Sequence, residues 1–192
     1  PPEDAVVDKV HFIYNNLSSS NLDAKASELE QRLDPSHFKW LSTYIVVKRA
    51  SMEPNFHPLY VGILERFNNQ MLNKWVVDST HRNISVLLRS ELIRSHSGER
   101  SLLKNLGSWL GSLTISRNKP VLQKQMDFKG LLLDAYDTGR MIAVIPFVAK
   151  ILEPAKGSKV FAPPNPWTVA LLALLAEIYN CSDLKLNLKF EV

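Results

Sequence analysis

Residues 38–67 read FKWLSTYIVVKRASMEPNFHPLYVGILERF, two apolar-periodic stretches on either side of a corner that holds Pro54 and Pro58. Phe38, Leu41, Ile45 and Met52 mark the first stretch at helical spacing. Pro54 ends it, because proline lacks the N–H that the helical ladder needs and disfavours the α conformation in the residue before it. Asn55 is then a good N-cap for the next helix. Pro58 falls in the first turn, where its missing N–H costs nothing, and Leu59, Ile63 and Phe67 form the buried stripe. A helix, a rigid corner and a second helix make one unit of a helical array.

Outward from that corner the same period recurs in both directions. Val6, Val10, Ile13 and Leu17 form a stripe closed by the turn-forming run SSSN, and Leu22, Ala26, Leu29 and Leu33 form another that stops before Asp34-Pro35. Beyond the corner a helix is predicted over 73–88. Ser97-Gly98-Glu99 opens another, through Leu102, Leu106, Trp109, Leu110 and Leu113, and RNKP stops it near Asn118. Further helices are predicted over 127–136, 141–152 and 166–179, with Pro146 in the first turn or so of its helix or kinking it.

Period-2 alternation is nearly absent, so the fold class is all-α. Similar helix lengths and short connections predict antiparallel helix pairs of about 40 residues stacked side by side, a HEAT-like α-solenoid of four to five pairs. The tail LKLNLKFEV alternates like a strand. With no other strand to pair with, it reads as the start of a helix whose remainder has been cut away.

A chain of 192 residues with 45% hydrophobic content can bury a full core, and 1–192 reads as a single domain. Its abrupt ends suggest a piece of a longer protein. The 23 Lys and Arg against 19 Asp and Glu leave +4, spread along the chain, which neither requires nor excludes nucleic acid. With one cysteine, Cys181, neither an intrachain disulfide nor a thiolate metal cluster can form, and a reducing compartment is expected. The longest apolar run, 169–176, is too short to span a bilayer, and PPEDAVVDKV lacks a signal-peptide apolar region.

Motifs of catalysis are missing. His11, His37, His57, His81 and His96 lie in different segments without metal-ligand spacing, and no phosphate-binding glycine loop or nucleophile elbow occurs. Neither an enzyme, a cofactor nor a metal is expected. Gly107 and Gly111, four apart in NLGSWLGS, read as a point of close helix-to-helix approach.

KRASMEPNFHPLY resembles the helix-corner signature of MIF4G domains, a helical-repeat fold. Together with YNNLSSSN, RSLLKNLGSWLG, IPFVAKILEP, PPNPWT and DLKLNLKFE, in that order, it is similar to the MIF4G domain of the Not-type scaffolds, the largest subunits of Ccr/Not deadenylase complexes. In that family the domain continues through further helical residues after LNLKFE. The resemblance implies a non-catalytic platform within a longer scaffold, which docks a deadenylase nuclease on one surface and binds and stimulates a DEAD-box RNA helicase on another. It implies roles in deadenylation, translational repression and mRNA decay, in the cytoplasm including decay granules, or also the nucleus.

Arg49 is the first candidate for helicase contact. A cation near a helix C-terminus is favoured by the dipole alone, but its planar fork also suits a partner carboxylate or carbonyl. Phe56 either folds inward to staple the helix start or anchors the helicase lobe. Lys48, His57 and Tyr60 are secondary candidates, while Glu53, Pro54 and Asn55 build the corner. Asn105 and Trp109, four apart, share a helix face that the stacked array would bring to the inner surface beside the corner. Trp167 and Pro164, in the rim loop PPNPWT, are the candidates for the deadenylase, against a plain helix-start role. A different class of reading takes the chain as an RNA-binding module using Lys48, Arg49, Arg82, Arg89, Arg94, Arg100, Lys104, Arg117 and Lys119.

Overall fold

A computed structural model describes residues 2–181 and 183–191, and every regular element among them is helical. The chain divides into two compact units, Pro1–Arg82 and Asn83–Val192. No helix among the described residues is long and apolar enough to cross a membrane.

The first unit holds α1 (Asp4–Asn15), α2 (Leu22–Glu30), α3 (Phe38–Thr43), α4 (His57–Phe67) and the start of α5 (Gln70–Arg89). Most of the predicted stripes form its core: Val10 and Ile13, then Leu22, Ala26, Leu29 and Leu33, then Phe38, Leu41 and Ile45, then Ile63 and Phe67 are buried, while Val6, Leu17 and Leu59 are half-buried at its edges. Asn21 fixes the SSSN turn, accepting from Ser18 N at 2.9 Å and donating to the Asn16 carbonyl at 2.7 Å. Helix α2 packs on α4 where Gly62 stands, and a Cβ there would lie 2.8 Å from Leu22 Cδ1.

Two expectations at the corner are corrected. After Thr43 the helix widens into a π-helix over Tyr44–Ala50, prolonged by a bond from Ser51 N to the Val46 carbonyl at 3.0 Å. The 3.6-residue phase therefore no longer governs Met52, which is 63% exposed rather than part of the core. Pro54–Phe56 then forms a single 3₁₀ turn, closed by Phe56 N to the Glu53 carbonyl at 3.1 Å. That turn displaces the start of α4, so its N-cap position is Phe56, and Asn55 is an exposed residue inside the turn.

The second unit holds α6 (Ser97–Leu113), α7 (Phe128–Thr138), α8 (Met141–Leu152), α9 (Pro166–Tyr179) and α10 (Leu186–Lys189). The bounds of α8 and α9 match the prediction, and the tail holds one short helix, Leu186–Lys189. Pro146 lies inside α8, past its first turn, and removes the ladder bond to the Ile142 carbonyl. Asp127 caps α7 through Gly130 N at 3.2 Å. Gly107 and Gly111 do bring helices together: a Cβ would lie 2.7 Å from the Phe147 carbonyl oxygen at the first and 2.9 Å from that of Ile151 at the second. Besides α6 on α8, this unit packs α7 on α8, α7 on α9 and α8 on α10.

Candidate functional site

The corner of the first unit is an ordered polar cluster. The wide turns of the π-helix carry Arg49 toward α1 and α4. There Arg49 Nε pairs with Glu53 Oε2 at 2.9 Å and reaches Tyr60 Oη at 3.2 Å, while Nη1 donates to Asn15 Oδ1 at 2.9 Å and Nη2 to the Tyr14 carbonyl at 3.4 Å. Tyr60 Oη donates to the same Glu53 carboxylate. Burial, with that bond, raises the Tyr60 phenol above the ordinary tyrosine range, and burial raises Tyr14 further. The Tyr14 hydroxyl has no hydrogen-bond partner among the described residues. Glu53 is thus a partner of Arg49 and Tyr60 and not a side-chain cap.

Burial sorts the remaining corner residues. His57 is 3% exposed and donates from Nε2 to the Ala50 carbonyl, the last of the π-helix, at 2.7 Å. Desolvation lowers its pKa, so it holds the corner as a neutral ring. His57 and Tyr60, the latter 1% exposed, are therefore internal supports and do not offer a surface to a partner. Lys48, Pro54 and Asn55 are exposed, and Phe56 stands 48% exposed with its ring 6.3 Å from that of Tyr60. Phe56 does not fold inward as a staple, and Met52 adds a second exposed apolar side chain to the same corner.

In the second unit, Asn105 is half-buried on α6 and Trp109 is wholly buried, so Trp109 is core and not an inner-surface contact.

The PPNPWT corner is more accessible. Asn165 Oδ1 caps α9 by accepting from Trp167 N at 3.0 Å and Thr168 N at 3.2 Å, and Asn165 Nδ2 donates to the Val160 carbonyl at 3.0 Å. Pro164 is exposed. The half-buried Trp167 ring meets Phe128 and Phe161 edge-on, at 5.7 and 5.6 Å, and lines a cavity of about 210 Å³ with Phe128, Leu171, Met126, Asp127 and Lys129. The corner is thus both a helix start and an accessible aromatic site.

Sequence reasoning missed Asn118, read only as part of a helix stop. It adopts a left-handed φ of 58°, and its Oδ1 accepts from Ser158 Oγ at 2.8 Å, Lys159 N at 2.9 Å and Val160 N at 3.3 Å. An asparagine just past a helix is the one available signal, since asparagine tolerates that conformation.

Set against known proteins, the chain matches one family profile, the CCR4-NOT transcription complex subunit 1 CAF1-binding domain, over residues 1–192. It is 44% identical over its whole length to the CCR4-NOT transcription complex subunit let-711 of Caenorhabditis elegans, of which it covers 8%. It is likewise 44% identical over its whole length to general negative regulator of transcription subunit 1 of Saccharomyces cerevisiae, covering 9%. Over 99% of the chain it is 44% identical to the protein of that name in Schizosaccharomyces pombe, again covering 9%. The chain spans less than a tenth of the length of these relatives.

Proposed function

This chain belongs to the CAF1-binding domain family of CCR4-NOT transcription complex subunit 1, and from that premise we propose that it is a non-catalytic scaffold module docking a deadenylase nuclease. The family match carries the reading. Trp167 and Pro164 are the proposed contact, because the cavity beside Trp167 is lined by apolar side chains with a few polar groups at its edge, as an anchoring pocket should be. In this reading residues 1–192 are one MIF4G-type domain, a HEAT-like α-solenoid. The packing of α2 on α4, α6 on α8 and α8 on α10 supports it, since each repeat's second helix should meet the second helix of the next.

The module also binds and stimulates a DEAD-box RNA helicase of translational repression, acting in mRNA decay in the cytoplasm. The exposed Phe56, Met52 and Lys48 supply the docking surface, and Arg49 braces the corner that carries them through Glu53, Tyr60 and Asn15. The test is a crossover. Trp167→Ala should weaken deadenylase binding at least tenfold by calorimetry and leave helicase binding unchanged, with Phe56→Ala doing the reverse. If the chain binds neither protein, or if either variant removes both, the reading falls.

A further inference from the structure

Helices α7 and α9 both begin at the Trp167 cavity: Phe128 and Lys129 line it from one, Ala170 and Leu171 from the other. The two helices pack on each other, so the cavity's rim continues along both. On α7, Leu133 and Tyr136 stand at the helical spacings that follow Lys129, and on α9 Ala173 and Glu177 stand at those that follow Ala170. All four are exposed. Helix α9 holds one charged residue, Glu177, in 14, a composition that belongs in an interior, yet Val169, Ala170 and Ala173 face solvent. An exposed apolar face that runs on from a cavity marks a docking surface.

Charge decides what covers it. The second unit has 14 Lys and Arg against 9 Asp and Glu, but past Lys129 these two helices carry Asp134, Asp137 and Glu177 and no cation. The three acids are exposed and form no ion pair among the described residues. Asp134 and Asp137 also lie toward the C-terminal end of α7, where the helix dipole is negative and a carboxylate is unfavourable. Arg94 Nη1 donates to the Thr138 carbonyl there at 3.4 Å, and Lys189 Nζ stands 5.4 Å from the centre of the Tyr179 ring, but neither pairs with these acids. A cation brought by a partner would be stabilised by the carboxylates and by the helix end together.

We propose that the deadenylase docks along this α7–α9 face with a basic surface anchored by one apolar side chain. The inference rests on the reading of Trp167 as the deadenylase contact and adds the partner's chemistry to it. An aliphatic side chain fills the cavity between Trp167 and Phe128, Leu133 and Tyr136 extend the apolar contact, and Lys or Arg side chains meet Asp134, Asp137 and Glu177. Lys129, at the cavity mouth, sets the direction: it repels a cation there and favours those at the far end of both helices.

The experiment is calorimetric binding of the 192-residue chain to the recombinant deadenylase nuclease at two salt concentrations, with melting temperatures of every variant. Asp134→Asn, Asp137→Asn should weaken binding about fivefold or more at about 0.05 M salt and less than about twofold at about 0.5 M, where the charges are screened. Its melting temperature should hold or rise, because two acids leave a negative helix end, so that its loss of affinity is not unfolding. Leu133→Ala, Tyr136→Ala should cost about tenfold at both salt concentrations. A control pair of exposed acids in the first unit, Asp8→Asn, Glu30→Gln, should change affinity less than about twofold. No binding by wild type overturns both the deadenylase reading and this inference. Loss on Trp167→Ala with either α7 pair at wild-type affinity overturns the inference alone. Tighter binding by the asparagine pair also overturns it, since the partner's surface would then be acidic.

Discussion

Gly107 and Phe147 are in backbone contact: the Phe147 carbonyl oxygen occupies the space, 2.7 Å away, that any Cβ on residue 107 would need. Because the obstacle is a carbonyl in α8 and not a flexible side-chain tip, Gly107→Ala must push two helices apart. The expected net cost is about 1–3 kcal/mol in denaturant unfolding of the chain, since the overpacking outweighs the roughly 1 kcal/mol that helix propensity would return. A stability change within 0.5 kcal/mol would contradict the close approach.

Arg49 and Phe56 should separate stability from docking. Arg49→Ala strips the Glu53 carboxylate and the Asn15 amide of a partner at a mostly buried position and should lower unfolding free energy by about 2 kcal/mol. Phe56→Ala, at an exposed ring, should leave the melting temperature within about 2 °C and act only on partner binding. Calorimetric melting of both variants decides it. Equal destabilisation by the two would mean that Phe56 is part of the core.

The Tyr14 hydroxyl is buried without a partner among the described residues, and such a group costs stability where it stands. Tyr14→Phe keeps the ring that packs against Tyr44 and Tyr60. It should leave stability unchanged or raise it by up to about 1 kcal/mol. A loss above 1 kcal/mol in urea unfolding would show that the hydroxyl is bonded.

Acid should weaken the fold through two histidines. Desolvation lowers the pKa of His57 and of His81 below the ordinary 6.5, so each takes up a proton more readily when the chain unfolds. Their contribution is complete above the unfolded value and is lost as pH falls below about 6.5 toward the folded values. The melting temperature should therefore drop between about pH 7 and pH 5. Neither ring nitrogen of His81 has a hydrogen-bond partner among the described residues, so His81→Leu should raise stability by about 1 kcal/mol at neutral pH and reduce the acid-induced drop. A melting temperature flat across that range would refute the assignment.

What was legible in the sequence was whatever local chemistry decides. Pro166 and Asn165 fix where α9 begins, Asp127 where α7 begins, and the paired glycines of α6 announced the contact that α8 makes. What escaped were the features set by distant partners. The π-helix is held at its end by His57, seven residues beyond Ala50, and the destination of Arg49 depends on Asn15 and Tyr14 in another helix. One clue was present, since Arg49 and Glu53 are four apart, the spacing of an ion pair on one helical face. Trp109 misled because a tryptophan four residues from an asparagine is equally consistent with core and with surface. Its complete burial decides for core.

The π-helix gives Tyr44–Ala50 a freedom of chain length that the other helices lack. Closure from residue i to i+5 stores slack where an α-helix would close one residue sooner. A related chain lacking one residue in this stretch would tighten it to ordinary α-helix while α3 and α4 kept their places, and the residue corresponding to Arg49 would turn away from Asn15. Insertion and deletion between Tyr44 and Ala50 thus form an evolutionary dial for the polar corner, adjustable without redesigning the helices that carry it.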